Sequence, residues 1–421
     1  MLPTASRTAK VVAAASAGLA TLALAGPAFA MPAAASAHVS HQAARRHVTV
    51  QQYQVRQILN GMSLHHAYLP AGSSTPKSEP LADPDDITVL GHRLFTAFQN
   101  GVGPQGQASS DGNTDSTIVE FTASGRVLGQ WDINGKCDGL TADTHRGVLV
   151  ATVNEDANSS IYTIRPSAPA GRQVRHYQYN EPLPHFGGTD AITIYHGQVL
   201  VSASAPGTTG TPAPQPSYPA VYKVRFHWAT RVASVSPVFY DEAPARDANV
   251  GPGLGTVANL ALTDPDSNEM VPASAPRFAG DFMLTSQGDQ EQIFVLRHHD
   301  RRGDQTAKTG GVRLAVLHLS NAVDDTAWAR TPFGRIFGTD ASADTVDVVT
   351  GPFRPGAIFV AVTPCDANDA PATCPGPGFP ANYLGQLNPW TGNISQVSLS
   401  GPTFEPKGLI FVGFHWDGTP G

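Results

Sequence analysis

Charge is what this chain has least of. Only 14% of its 421 residues are Asp, Glu, Lys or Arg, against roughly a quarter in an average globular domain. Its 34 acidic residues outnumber 27 basic ones, giving a formal charge of −7 with no long basic run. A nucleic-acid partner requires a cationic stripe to displace condensed counterions, so that class is excluded. Cysteine occurs three times. No C-x-x-C, H-E-x-x-H or G-x-S-x-G pattern occurs, which removes the usual redox, zinc-protease and nucleophile-elbow signatures. Gly101, Gly103 and Gly106 spell G-x-G-x-x-G, but Pro104 interrupts it and a Ser/Asp/Gly loop follows where a helix should start, so the context of a dinucleotide site is missing. The pairs His65-His66 and His298-His299 would point to opposite faces of a strand and make poor shared ligands. Arg297 to Arg302 reads as a solvated hairpin tip.

Turn formers are abundant, with 41 glycines and 35 prolines, which favours many short strands over long helices. The N-terminus reads as a processing signal. Arg7 and Lys10 precede an apolar run from Val11 to Ala25, and Ala28-Phe29-Ala30 fits a small-x-small cleavage site, with Ala35-Ser36-Ala37 as a second candidate. No later stretch approaches 18 apolar residues. The expectation is a Sec-type signal peptide over 1–30, a disordered leader over 31–47 and one secreted domain over 48–421, without a membrane span and monomeric.

Three stretches share one pattern: Asp85-Asp86-Ile87-Thr88, Asp138-Gly139-Leu140-Thr141 and Asp190-Ala191-Ile192-Thr193. Their starts lie 53 and 52 residues apart, and each precedes a polar turn and an apolar strand. A fixed period of this size marks repeated supersecondary units such as propeller blades. The second unit continues through Ser160 to Ile164 and Val174 to Tyr179, and the third through Ala220 to Phe226 and Ala233 to Phe239, after a Pro-rich insertion at 206–219. Later units are less regular. A fourth inner strand is expected near Val257 to Leu262, with Asn259 at the aspartate position. Asp344-Thr345-Val346 returns to the inner-strand pattern, and Lys407-Gly408-Leu409 begins a last unit too short to hold four strands. A strand near Val48 to Val55 can complete it, removing two exposed sheet edges. The fold class is all-β: a β-propeller of six four-stranded antiparallel blades, with seven as the alternative.

This arrangement resembles the six-bladed propellers that include the gluconolactonase-like hydrolases and the NHL-type proteins. The resemblance rests on the Asp-x-Ile/Leu-Thr repeats and the strand–turn–strand plan, and covers most of the mature chain. In the hydrolases it implies a divalent metal at the channel mouth, held by acidic and amide ligands, that polarises a lactone or ester. A complete ligand set does not align here.

The first strand of each blade lines the channel, so Asp85, Asp138, Asp190, Asp344 and Lys407 are the candidate channel-lining residues. Converging carboxylates repel unless a cation lies between them. One reading makes Asp85, Asp138 and Asp190, with Asn154 and Glu155, ligands of Ca²⁺ or another divalent metal. The other makes each Asp a clamp on backbone amides of the neighbouring blade. Asp264-Pro265-Asp266-Ser267-Asn268 opens like a calcium loop, but Glu269 stands where glycine belongs, and a polar turn is expected. Cys365 and Cys374 are paired as a disulfide, which leaves Cys137 as a buried thiol. Two functions follow: a secreted module binding a small molecule or protein at one channel end, or a metal-dependent lactonase or esterase.

Overall fold

The computed structural model describes residues 52–183, 188–204, 218–297, 311–374, 376 and 379–414. The signal segment, the leader, most of the Pro-rich insertion, and the His298-His299 pair with most of its basic knot lie outside them. Within them the chain is all strand and turn, apart from one 3₁₀ turn at Gly61–Ser63.

The first sheet is a simple meander of Pro84–Leu90, Arg93–Phe98, Asp115–Phe121 and Val127–Asn134. The second repeats it with Cys137–Asp143, Val148–Val153, Ser160–Ile164 and Val174–Tyr179. The third uses Ile192–Tyr195, Gln198–Ser202, Pro219–His227 and Val232–Tyr240. A short parallel pairing, Gln178 with Val232 and Tyr179 with Ala233, joins the second and third at their outer edges.

The fourth meander starts at Pro265–Met270 and runs through Phe282–Ser286, Glu291–Val295 and Leu314–His318. The expected inner strand around Asn259 is instead an edge piece: Val257–Asn259 pairs only with Pro244–Asp247 and is exposed.

The chain then changes its plan. Val323–Trp328 opens a fifth sheet, but the next two strands, Gly334–Asp340 and Thr345–Thr350, leave for the last sheet. The chain returns with Ile358–Val362, Tyr383–Leu387 and Ile394–Gln396 to complete the fifth. Leu409–Gly413 finally pairs with Gly334–Asp340, while the N-terminal Tyr53–Asn60 pairs with Thr345–Thr350. Both ends of the described chain therefore close the last sheet, as the short final unit required. Asp344 lies in the turn between two strands of that sheet, with φ +54°, and opens no inner strand.

The second strands explain the apolar runs of the sequence. Val148–Val153 and Ile358–Val362 are buried at every residue, because sheets pack on both of their faces, while the outer Val127–Asn134 is mostly part-exposed. Between consecutive sheets lies one apolar layer: Phe95, Ile118 and Leu149 between the first and second, Val150, Tyr177 and Ile192 next, then Phe239, Leu262 and Phe282. Met283, Phe294 and Val360 follow, then Tyr53, Phe359 and Phe411. Phe98, Ile87 and Phe337 join the last sheet back to the first. Each fully buried side chain of this size contributes about 1.5–3 kcal/mol of transfer free energy. The inner strands pack on one another in the same circular order, from Pro84–Leu90 round to Leu409–Gly413 and back. This is the β-propeller architecture, its inner strands enclosing a channel.

Candidate functional site: an acidic ring at the channel mouth

A single irregularity recurs at the start of the inner strands. Pro84 pairs with Phe98 and Ile87 with Thr96, so three steps on the inner strand oppose two on its neighbour. The same slip occurs at Cys137/Leu140, Pro265/Asn268 and Val323/Thr326. Such a bulge re-aims the side chains within it. The residues placed there are Asp85, Asp138, Asp266 and Asp324. Asp190 precedes the third inner strand, and Lys407 precedes the last. Five aspartates and one lysine thus occupy equivalent places around one channel end.

Hydroxyls on second strands hold this geometry. Thr152 Oγ1 donates to the carbonyl of Asp190 and accepts from Gly139 N–H at 3.1 Å. Thr339 Oγ1 does the same with the Asp85 carbonyl and Gly408 N–H. Ser202 Oγ donates to the Asp266 carbonyl at 2.9 Å. Each fixes the backbone of a ring residue in the following sheet.

The ring charges are met by groups of the chain itself. Lys407 Nζ lies 2.6 Å from Asp85 Oδ1. Lys136 Nζ lies 2.8 Å from Asp138 Oδ1 and also pairs with Glu155. Gln99 Nε2 donates to Asp85 at 2.6 Å and to Asp138 at 2.9 Å, bridging the two. Asp138 Oδ2 is buried without a hydrogen-bond partner. Burial, then the nearby Glu155 carboxylate, pushes the Asp138 carboxyl up to about 8, against the pull of Lys136. Burial raises Asp190, Asp266 and Asp324 well above the usual carboxylate range, and Asp138 and Asp324 add repulsion at the first two. Burial alone would depress the Lys407 ammonium, but Asp85 and Asp324 hold it well above its ordinary value.

Among the described residues no three His, Cys, Asp or Glu side chains come together as a metal-holding group. Lysine nitrogens lie against Asp85 Oδ1 and Asp138 Oδ1, so a divalent ion held there would have to displace both lysines. Asn154 serves the loop: its Oδ1 accepts from Lys136 N–H at 3.0 Å and its Nδ2 donates to the Asn158 carbonyl. Asp344 Oδ1 accepts from Asp83 N–H at 2.8 Å, at the start of the first inner strand, but Asp344 itself lies on no inner strand.

The clamp expected of the repeat aspartates belongs to the residue after them. Asp86 accepts from Leu140 N–H at 2.7 Å, and Asp325 from Leu409 N–H at 2.6 Å, each tying one inner strand to the next. Asn268 Nδ2 donates to the Ala191 carbonyl at 2.8 Å. Burial and then the Asp325 charge raise Asp86, and burial raises Asp325 to about 7. Below the ring these residues, Glu269 and the threonines Thr88, Thr141 and Thr193 line a cavity of about 690 Å³. Arg146 and Arg330 also line it.

The disulfide Cys365–Cys374 is present. Its loop is fixed beside the fourth sheet, where Asn368 Nδ2 donates to Thr263 Oγ1 and Asp289, both at 2.9 Å. Cys137 is buried, its thiol raised well above normal by burial, which keeps it neutral and unreactive.

Sequence reasoning missed Asp266, Asp324, Lys136 and Gln99. One signal was available: Pro84, Pro265 and Pro406 each precede a ring residue.

No family model and no curated protein matches the chain. Solved structures with a similar trace include a streptogramin B lyase, 13% identical over 87% of this chain and 93% of that one, with a TM-score of 0.39. The Pseudomonas aeruginosa periplasmic gluconolactonase is 13% identical over 86% and 99%, with a TM-score of 0.40. The WD40 propeller domain of Doa1 is 9% identical over 84% and 75%, with a TM-score of 0.36. The propeller reading rests on the closed ring of strands, and nothing about the site rests on these likenesses.

Proposed function

We propose that this chain is an exported, six-bladed β-propeller that binds a small cationic ligand, or a cationic group of a protein partner, at the acid-ringed end of its channel. The six apolar layers that return to their start support the blade count. The apolar segment Val11 to Ala25 with Ala28-Phe29-Ala30 supports export. The observation that carries the binding reading is the ring itself. Five aspartates converge where the ring position of the chain supplies one lysine, and Asp138 keeps a buried oxygen without a partner. A ligand ammonium would complete this charge balance in a site where burial strengthens each ion pair.

The test is a thermal-shift and calorimetric screen of the mature protein against polyamines, amino sugars and their neutral analogues. Amine binding weakened by Asp190→Asn and Asp324→Asn is expected. A protein that binds none of them, or binds them equally well in both variants, sinks the reading.

A second reading is hydrolysis of a lactone or ester, with Ca²⁺ or another divalent metal recruited to the same carboxylates. It is favoured by Asp138, whose carboxyl exchanges its proton near neutrality. Turnover that depends on added metal, stops with EDTA and is lost in Asp138→Asn would move the conclusion to this reading.

A further inference from the structure

A second concave site lies on the outside of the propeller, away from the acidic ring. The hairpin of Ser160–Ile164 and Val174–Tyr179 ends in a turn whose backbone is satisfied internally. Arg165 N–H donates to the Gln173 carbonyl at 2.9 Å, and Arg172 N–H donates to the Pro169 carbonyl at 3.0 Å. Thr163 and Arg165 alternate on one face, opposite Arg175 and Gln173. With Arg172 and Trp228 they line a cavity of about 370 Å³.

Two features distinguish it. First, three guanidinium groups gather within eleven residues of a chain whose net charge is −7, and among the described residues none of them makes an ion pair. Second, Trp228 is 42% exposed, yet its ring is fixed. It stands edge-on to buried Tyr177 at 5.8 Å and leans on Phe226 at 5.8 Å. The parallel pairing of Gln178 with Val232 and Tyr179 with Ala233 holds the arginine hairpin and the tryptophan turn in one continuous sheet. The site is therefore preorganised where the second and third meanders join.

We propose that this pocket binds an acidic sugar unit of a glycan. Guanidinium forks match carboxylate and sulfate oxygens bidentately, and the exposed indole face accepts the C–H face of a pyranose. Gln173 Nε2 is occupied by the Pro166 carbonyl at 3.0 Å, which leaves its Oε1 and the Thr163 hydroxyl for sugar hydroxyls. A nucleobase is the less suited occupant. Tyr177 meets the indole edge-on and Phe226 leans on it, and among the described residues no second exposed ring pairs with it to make a sandwich.

The test is calorimetry on the mature full chain with four probes: tetragalacturonate, a heparin-derived tetrasaccharide, maltotetraose and ATP. One or both acidic tetrasaccharides should bind, with maltotetraose inert; which of the two binds distinguishes carboxylate from sulfate recognition. Binding should weaken about tenfold or more, a loss of about 1.4 kcal/mol, in the double variant Arg165→Gln/Arg175→Gln and again in Trp228→Ala. Asp190→Asn should leave it unchanged. Both variants alter exposed positions, and Trp228→Phe provides a folded control that retains a ring. Binding of neither acidic glycan, binding that survives both variants, or binding of ATP alone would each overturn the proposal.

Discussion

Lys407 Nζ lies 2.6 Å from Asp85 Oδ1, joining the residue before the last inner strand to the one that opens the first. The contact closes the ring electrostatically where the sheets close it sterically. Removing the ammonium leaves a carboxylate whose side chain is only 9% exposed without its cation, with Gln99 as a remaining donor. Losing one partner of a buried pair costs about 3–5 kcal/mol. Because a third of the Lys407 side chain still meets water, the expected loss for Lys407→Met is lower, about 2–3 kcal/mol. Adding Asp85→Asn should recover much of it. Chemical denaturation of the single and double variants measures both, and an unchanged midpoint for Lys407→Met would show that the pair contributes nothing.

The buried carboxyls also set the sign of the pH dependence. In the unfolded chain an aspartate loses its proton near pH 4. In the fold Asp325 and Asp264 hold theirs to about 7, and Asp138 to about 8. Between those limits the folded state binds more protons than the unfolded state, so stability falls as pH rises. Below about pH 4 the contribution is complete, because both states are protonated. Lys136 and Lys407 stay charged throughout this window, since their folded values are raised. The melting temperature should therefore drop between pH 5 and pH 8, and Asp325→Asn should flatten the slope. A melting temperature that climbs across this range would contradict the assignment.

Asp86 separates clamp from charge. Its carboxylate accepts from Ile87 and Leu140 N–H, both at 2.7 Å. Alanine leaves the Leu140 amide without its acceptor, at a cost of about 1–3 kcal/mol. Asparagine keeps an oxygen acceptor for the Leu140 amide but turns its NH2 toward the Ile87 amide, and it removes a charge that burial already disfavours. Asp86→Asn should therefore unfold between the wild-type midpoint and that of Asp86→Ala. Equal losses in the two would place the role of Asp86 in its charge.

The parts of this molecule legible in the sequence are those where chain order and spatial order agree. The first three meanders follow the Asp-x-Ile/Leu-Thr period because each completes its sheet before the next begins. The fourth inner strand was hidden because Ser267-Asn268-Glu269 follows Asp266, so a polar turn was expected where a bulged strand lies. Asp324 was lost for a different reason. After Trp328 the chain departs to build the last sheet before finishing the fifth, and a period counted along the chain fails across such an exchange. Asp344-Thr345-Val346 then mimicked the pattern from a turn with positive φ. Gln99 and Lys136 lie outside the repeat pattern, and only the fold brings them to the ring.

Gly139 tests whether ring geometry and sheet packing are one property. A Cβ at this position would sit 2.4 Å from the Asp190 carbonyl oxygen and 2.5 Å from Thr152 Oγ1. Its φ lies outside the left-handed region, so the demand comes from contact between neighbouring sheets. Gly147 is the complementary case, with φ +63° and open space around it. Gly147→Ala carries only the dihedral penalty, about 1–2 kcal/mol. Gly139→Ala must push the Asp190 backbone away, break the Thr152 bridge, or both. Overpacking of this kind costs about 1–3 kcal/mol, occasionally more, on top of a hydrogen bond worth about 1 kcal/mol. Gly139→Ala should therefore be the less stable variant, and it alone should weaken an amine ligand, because it displaces a ring residue. Denaturation midpoints and calorimetry on the two variants decide this. Equal ligand affinity in both would mean that the ring tolerates movement of its sheets, and that the hydroxyl bridges serve stability alone.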